Sequence, residues 1–326
     1  MRRKNQIRKL IPVLILLLAC VFLYSAVRFV EFAIMSRRLE EVKAAPSKTL
    51  VRDGVEYFPR QDIDVFLLMG IDREGSVPPQ ETRWYSDRAD TVVLLVFDQK
   101  DETARVLSLN RDTMLDMPEL DTNGRRTGTY HGQLGFAYYF GDGLQISCEN
   151  TKKTVSDFLY GINIDHYVAM TLDGISVLND AVGGVTVTVT DDFSAIYADL
   201  PMGEVTLNGE QAVAYVRGRR GVGDHLNVSR MARQETYIKS FVDAFRVKQE
   251  TNSQFALQAY DAVSDYIVTD CSGTVLSSAL ERYADYKLVE MVTPKGDNVE
   301  GKQYMEFYVD EEALDALILR LFYTPK

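Results

Sequence analysis

Three apolar runs limit the folds open to this chain: residues 63–71, 91–97 and 104–109, each of strand length and each bounded by charged or turn-forming residues. In the second, Val92 to Val96 is an unbroken aliphatic stretch. A run with no wet face reads as a strand buried inside a sheet. Residues 98–103 read as a hairpin turn, so the three runs are expected to form an antiparallel meander. In that arrangement the end of the first strand, the start of the second and the end of the third share one edge. Asp72, Arg88, Asp90 and Arg111 stand at those points. A crossover in the second connection would separate them.

The rest of the chain alternates helical and extended signals. A helix is expected over 149–159, stopping at Gly161, then a strand over 166–170. Another helix follows over 173–182, with Asp173 as candidate N-cap and Gly183-Gly184 as its end. Val185 to Val189 alternates Val and Thr, as a half-wet strand does. Asn208-Gly209-Glu210-Gln211 starts a short helical stretch leading to residues 214–219, where an extended backbone would put Arg217 and Arg219 on the same side. A long amphipathic helix over about 229–245 carries Arg230, Arg233 and Gln234 near its N-terminus, beside free backbone N–H groups and the positive end of the dipole. Beyond residue 252, helices at 276–283 and 310–321 alternate with strand-like segments at 287–292 and 304–309. The expected fold class is α/β (α+β), a central mixed, largely antiparallel sheet flanked by helices behind a single N-terminal transmembrane helix.

The N-terminus sets the topology. Residues 1–9 hold Arg2, Arg3, Lys4, Arg8 and Lys9 with no acid, and 10–27 follow without a charge, about the length that crosses a bilayer core. A cleaved signal, a lipoprotein signal ending at Cys20 and an uncleaved anchor all fit such a segment. The bulky Leu18, the apolar residues that continue past Cys20 and the lack of a small-residue cleavage site favour the anchor. The organisation read from this is a basic cytoplasmic tail (1–9), an anchor (10–34), a stalk (35–61), a catalytic domain (62–250) and a C-terminal α/β extension packed on it (251–326). The excess of Lys and Arg before the anchor puts the folded part outside the cytoplasm. With the five N-terminal basic residues set aside, the net charge of −11 becomes −16, which argues against nucleic acid as a partner. Only Cys148 and Cys271 lie outside the anchor. One extracellular disulfide and two buried free thiols both remain open.

Asp72, Arg88, Asp90, Arg111, Arg217, Arg219 and Arg230 fall at strand ends or in a first helical turn, where side chains converge on a crevice. Carboxylates for a divalent cation beside guanidiniums for phosphate oxygens suggest metal-assisted handling of a pyrophosphate. Each residue also has an ordinary reading. Arg217 and Arg219 fit solvated edge charges, Arg230 and Arg233 fit pairs with Glu235 or Asp224, Asp72 fits a turn and Asp112 a partner that orients Arg111. His166 fits packing, and Phe136, Tyr138, Tyr139 and Phe140 fit a core more readily than a lipid groove. Their joint occurrence is what favours the functional reading.

Five ordered blocks resemble the LytR-CpsA-Psr family of cell-envelope proteins: Leu68-Met69-Gly70-Ile71-Asp72-Arg73; Arg88-Ala89-Asp90-Thr91; Ser108-Leu109-Asn110-Arg111-Asp112-Thr113; Asp180-Ala181-Val182-Gly183-Gly184-Val185; and Tyr215-Val216-Arg217-Gly218-Arg219 followed by Arg230-Met231-Ala232-Arg233-Gln234. They fall between about Asp62 and Phe245. The resemblance implies a phosphotransferase that moves a glycopolymer from a polyprenyl-pyrophosphate carrier onto peptidoglycan with Mg²⁺. Asp72 and Asp90 would hold the metal, Arg88 and Arg111 would grip the pyrophosphate, and Arg217, Arg219, Arg230 and Gln234 would complete its site. The chain departs from the family where it reads His131-Gly132-Gln133 in place of a Lys-containing block, which makes one cationic contact pH-dependent. A membrane-anchored regulator and a hydrolase releasing glycan phosphate to water are the alternatives. No G-x-S-x-G block supports a serine hydrolase.

Overall fold

The three apolar runs form the centre of a six-stranded sheet. The computed structural model describes residues 48–77, 87–224 and 227–326, and the expected anchor lies outside them. Along the chain the strands are β1 (Leu50–Arg52), β2 (Val55–Pro59), β3 (Ile63–Ile71), β4 (Ala89–Asp98), β5 (Thr103–Leu109), β6 (Met114–Leu120), β7 (Arg126–Gln133), β8 (His166–Met170), β9 (Val185–Val189), β10 (Gly203–Leu207), β11 (Ile267–Thr269), β12 (Lys287–Val292), β13 (Gly296–Glu300), β14 (Met305–Val309) and β15 (Tyr323–Pro325). The helices are α1 (Gln145–Phe158), α2 (Leu172–Ala181), α3 (Gly209–Arg217), α4 (Asn227–Thr251), α5 (Phe255–Val263), α6 (Gly273–Tyr283) and α7 (Glu311–Phe322). Among the described residues none is long and apolar enough to cross a membrane.

The central sheet has the order β11-β8-β3-β4-β5-β12. The meander holds, since β3 pairs antiparallel with β4 and β4 antiparallel with β5. β8 joins β3 and β12 joins β5 in parallel, so the sheet is mixed but mostly antiparallel. Val65, Leu67, Met69 and Ile71 face one way, onto Cys148 and Val155 of α1, Leu159 at its C-terminal cap, and Leu314, Ile318 and Leu321 of α7. Leu68 and Val168 face the other, toward Val263 of α5 and Leu276 of α6. On that face Tyr283 stacks on Phe97 with ring centroids 4.0 Å apart. Two covered faces explain why the runs carry no polar alternation. Leu67 and Leu94 are fully buried, and truncating either to Ala would cost roughly 2–5 kcal/mol.

A second core lies under β9 and β10, where Val185, Val187 and Val189 pack with Ala212 and Tyr215 of α3 and Tyr237 of α4. The alternation in β9 therefore reports one covered face and one wet one. α3 starts where its sequence says it should: Asn208 Oδ1 accepts from the Gln211 N–H at 2.9 Å, and Gln211 Oε1 accepts from the Asn208 N–H at 3.0 Å. This reciprocal cap satisfies two donors that the first turn leaves unpaired.

Several expectations are corrected. Arg217 is the last residue of α3 rather than part of a strand, and Gly218 turns the chain out of the helix with φ −52 and ψ 121. Thr171, not Asp173, is the N-cap of α2, and the Asp173 carboxylate instead accepts from the Gly75 N–H at 2.8 Å. α1 begins four residues earlier than expected, and α4 extends past both expected ends. The segment expected as a stalk contributes structure at its end, where β1 and β2 form a hairpin and β15 pairs with β2. Of the two states left open for the cysteines, the structure has the second: Cys148 and Cys271 are both free and buried.

Candidate functional site

Meander geometry carries four side chains to one edge of the sheet. β3 delivers Asp72, the start of β4 delivers Arg88 and Asp90, and the turn after β5 delivers Arg111, with Ile71 paired to Ala89 across a bulge. The Asp72 N–H donates to the Arg88 carbonyl at 3.2 Å. α3 and the link that follows it bring Arg217, Arg219 and Arg220, and the first turn of α4 brings Arg230. These eight residues line one cavity of about 440 Å³. Arg220 was not among the residues singled out from the sequence, although its position directly after Arg219 was the available signal.

Within the cavity Asp90 is clamped by two guanidiniums. Arg111 Nη1 bonds its Oδ1, while Arg230 Nη1 bonds Oδ2 at 3.2 Å and Arg230 Nη2 the Asp90 carbonyl at 2.9 Å. Arg230 is aimed by Asn227 Oδ1, which accepts from its Nη2 at 2.6 Å, and the Asn227 amide in turn donates to Asn110 Oδ1 at 2.6 Å. Asp72 is more open: its side chain is 40% exposed and its Oδ1 lies 3.0 Å from Arg217 Nη2. Arg88 stacks over the Phe136 ring, 3.8 Å from the centroid. The short turn at residues 134–137 approaches closely because Gly135 has no Cβ; one would lie 2.9 Å from the Ala89 carbonyl oxygen.

Six arginines against two aspartates make the cavity formally +4. The strain of that crowding is visible in the proton affinities. Burial, and after it the nearby Arg111, pushes Arg230 down to about 10 despite the opposing pull of Asp90. Arg219 is lowered by the same two causes, with Asp112 and Asp90 opposing. Behind the arginines Asp112 is 1% exposed, 3.4 Å from Arg111 Nε and 3.9 Å from Arg219 Nη1. Burial raises its carboxyl against the downward pull of Arg111, Arg219 and Arg230. Like charges this close are tolerable when a polyanion sits among them.

Gln234, expected in the phosphate site, stands elsewhere, as does His131, where the chain departs from the family pattern. Gln234 does not line the cavity: its amide donates to Thr91 Oγ1 and to the Val216 carbonyl, both at 3.0 Å, bracing β4 against the end of α3. His131 lies on the surface of β7, 2.7 Å from Asp116. Its neighbour Gln133 points inward and donates to Asp112 Oδ1 at 2.8 Å. Arg233 pairs with Asp191 at 2.6 Å and caps the Gly218 carbonyl, so it anchors the link that carries Arg219. The aromatic group divides: Tyr138 and Phe140 are buried, Tyr139 is exposed, and Phe136 carries Arg88.

A family model described as the LytR_cpsA_psr family matches residues 35–321, a longer stretch than the five sequence blocks span. The polyisoprenyl-teichoic acid–peptidoglycan teichoic acid transferase TagU of Enterococcus faecalis is 30% identical over 253 residues, covering 76% of this chain and 74% of that protein. TagT of Bacillus subtilis, a transferase of the same description, is 28% identical over 279 residues, covering 81% and 77%. Among solved structures, protein gbs0355 of Streptococcus agalactiae superposes with a TM-score of 0.66 at 24% identity, covering 80% of this chain and 86% of that one.

Proposed function

The chain belongs to the LytR-CpsA-Psr family, and from that premise we propose that the arginine cavity is the site at which a glycopolymer is moved from a polyprenyl-pyrophosphate carrier to peptidoglycan. The enzyme is a transferase, as its relatives are named. The observation that carries the site assignment is the convergence of six arginines and two aspartates on one cavity at the edge of the sheet.

A pyrophosphate diester suits these surroundings in charge. Guanidinium forks meet phosphate oxygens two at a time and keep their charge at any physiological pH. Arg88 and Arg217 sit at the mouth, while Arg111 and Arg230 form the floor and presently hold Asp90. An incoming pyrophosphate competes for those two guanidiniums and frees the Asp90 oxygens.

The carboxylates of Asp72 and Asp90 face the cavity and are the hard oxygen donors that Mg²⁺ selects, so the donor set fits that ion. Asp72 and Asp90 would hold it, and when bound it supplies charge neutralisation to the pyrophosphate. The acceptor hydroxyl attacks the phosphorus bonded to the glycan, the bond to the polyprenyl phosphate breaks, and polyprenyl monophosphate leaves. Little covalent work falls to the protein, so positioning and electrostatics dominate. The hydroxyl proton passes to a carboxylate, and Asp72, the more exposed, is the one an acceptor reaches. The same proposal tethers the domain to the outer face of the membrane through residues 10–34.

The test is transfer from a polyprenyl-pyrophosphate glycan to peptidoglycan by the full chain with Mg²⁺. Asp90→Ala and Arg111→Ala should each remove roughly 2–4 kcal/mol of transition-state stabilisation, on the order of 30- to 1,000-fold in rate. Transfer at the unaltered rate in both variants would remove the assignment. Glycan phosphate released equally with and without acceptor would make the protein a hydrolase.

A further inference from the structure

At the other end of the central sheet a second group of side chains converges. β8 runs parallel to β3, with His166 beside Phe66 and Met170 beside Gly70. Phe66 precedes Asp72 by six residues, about 20 Å of strand, so His166 is remote from the arginine cavity. β11 pairs with β8 on its outer side, and the last pair is Thr269 with Val168. Two residues further along each strand stand Cys271 and His166.

We propose that His166, Asp270 and Cys271 form a binding site for Zn²⁺ or another borderline divalent transition metal. One ligand atom from each lies within 4.8 Å of the other two. An imidazole, a thiol and a carboxylate form a mixed N/S/O set that suits zinc and is foreign to Mg²⁺. Three protein ligands leave a fourth position for water.

His166 Nδ1 points inward, buried and without a hydrogen-bond partner. It stands 3.4 Å from Asp270 Oδ1, and Cys271 Sγ stands 3.8 Å from the same oxygen. A buried ring nitrogen left unbonded carries a desolvation cost that a metal ion would relieve.

The ligands are already held in place by other contacts. The His166 ring packs on Phe66 with centroids 5.3 Å apart. Asp270 Oδ1 accepts the Tyr167 N–H at 3.0 Å, and Oδ2 lies 3.5 Å from Lys152 Nζ. A carboxylate oxygen has two lone pairs, so Oδ1 keeps one for a metal. The ammonium of Lys152, shared with the Asp165 carbonyl at 3.4 Å, stays on Oδ2. Lys152 opposes a cation, and the charge a thiolate gains on giving its proton to solvent offsets that opposition. A bound metal would pin the turn after β11, and with it the start of α6 at Gly273, to the edge of the central sheet.

The experiment is titration of the full chain, purified free of metal in detergent, with Co²⁺ as a spectroscopic substitute for zinc. The expected result is a near-ultraviolet thiolate-to-cobalt band with intense tetrahedral visible bands, saturating at one equivalent and abolished by Zn²⁺. Cys271→Ser should lose the near-ultraviolet band, and His166→Gln should weaken binding by about tenfold or more. Asp90→Ala should retain both, which separates this site from the arginine cavity. Absence of the thiolate band in the unaltered chain overturns the proposal without reliance on any variant. So does its persistence in Cys271→Ser.

Discussion

Arg73 and Asp87 face each other across the base of the loop between β3 and β4, guanidinium and carboxylate 2.8 Å apart and each side chain only 10% exposed. Asp72 precedes Arg73 and Arg88 follows Asp87, so the pair clamps the chain immediately beside two cavity residues. Burial raises the Asp87 carboxyl, and Arg73 pulls it the other way. A buried pair of this kind adds little net stability, but it fixes which residues sit opposite one another. The pair therefore holds Asp72 beside Arg88, where the Asp72 N–H donates to the Arg88 carbonyl.

Removing one partner leaves the other charge buried and uncompensated. Asp87→Ala is expected to destabilise the fold by about 3 kcal/mol, read as a lower urea midpoint. The double variant Arg73→Met, Asp87→Leu should recover most of that loss, because two apolar side chains need no counter-charge. Equal losses in the single and double variants would show that the pair is not what the fold depends on.

The sheet edge was legible in the sequence for a physical reason. Residues 63–71, 91–97 and 104–109 are apolar on both sides because α1 and α7 cover one face and α5 and α6 the other. The turn over residues 98–103 is short enough to force neighbours together. Arg217 and Arg219 do share one cavity, but the turn at Gly218 after the helix end, rather than strand alternation, sets their directions. The β6–β7 hairpin was not visible, because Pro118, Gly128 and exposed charges break its alternation. Both edge strands of the sheet come from beyond residue 252, and pairing over such a separation leaves no local signal. Gln133 supports Asp112 behind Arg111 through a contact 21 positions away in the chain, and such a non-local pairing leaves no local signal.

Gln234 separates a bracing role from a ligand-binding one. Its amide ties Thr91 to the Val216 carbonyl, so Gln234→Ala should cost about 1 kcal/mol of stability and slow transfer less than tenfold. The affinity for inorganic pyrophosphate should hardly change, as judged by calorimetry. A loss of affinity matching that of Arg111→Ala would put Gln234 in contact with the ligand.

Asp112 predicts a slope of stability with pH. Its folded value is raised, chiefly by burial, so the folded state keeps the proton to higher pH than the unfolded chain does. Stability is then greatest below the ordinary aspartate value near pH 4 and falls as pH rises through the raised one. Asp112→Asn keeps an oxygen to accept from Gln133 and removes the titration, so its urea midpoint should fall less over that window. Asp87 and Asp142, also raised mainly by burial, keep some slope in the variant. Identical slopes in the two proteins would show that Asp112 does not carry it.

Arg219 offers the sharpest test of the crowding itself. Burial and Arg111 lower its proton affinity against the pull of Asp112 and Asp90, and the Asp112 carboxylate stands 3.9 Å away, too far for a strong hydrogen bond. In the ligand-free protein it therefore costs more electrostatic energy than it returns, and its benefit appears only when an anion enters. Arg219→Ala should leave the ligand-free melting temperature unchanged or raise it. The stabilisation by inorganic pyrophosphate, about 2.7 kcal/mol at a hundredfold excess over Kd, should shrink in the variant at matched ligand concentration. In the unaltered protein the same stabilisation should decline as NaCl rises, because screening weakens both the repulsion among the arginines and their attraction for the ligand. A variant that melts lower without ligand yet responds fully to pyrophosphate would make Arg219 a structural residue.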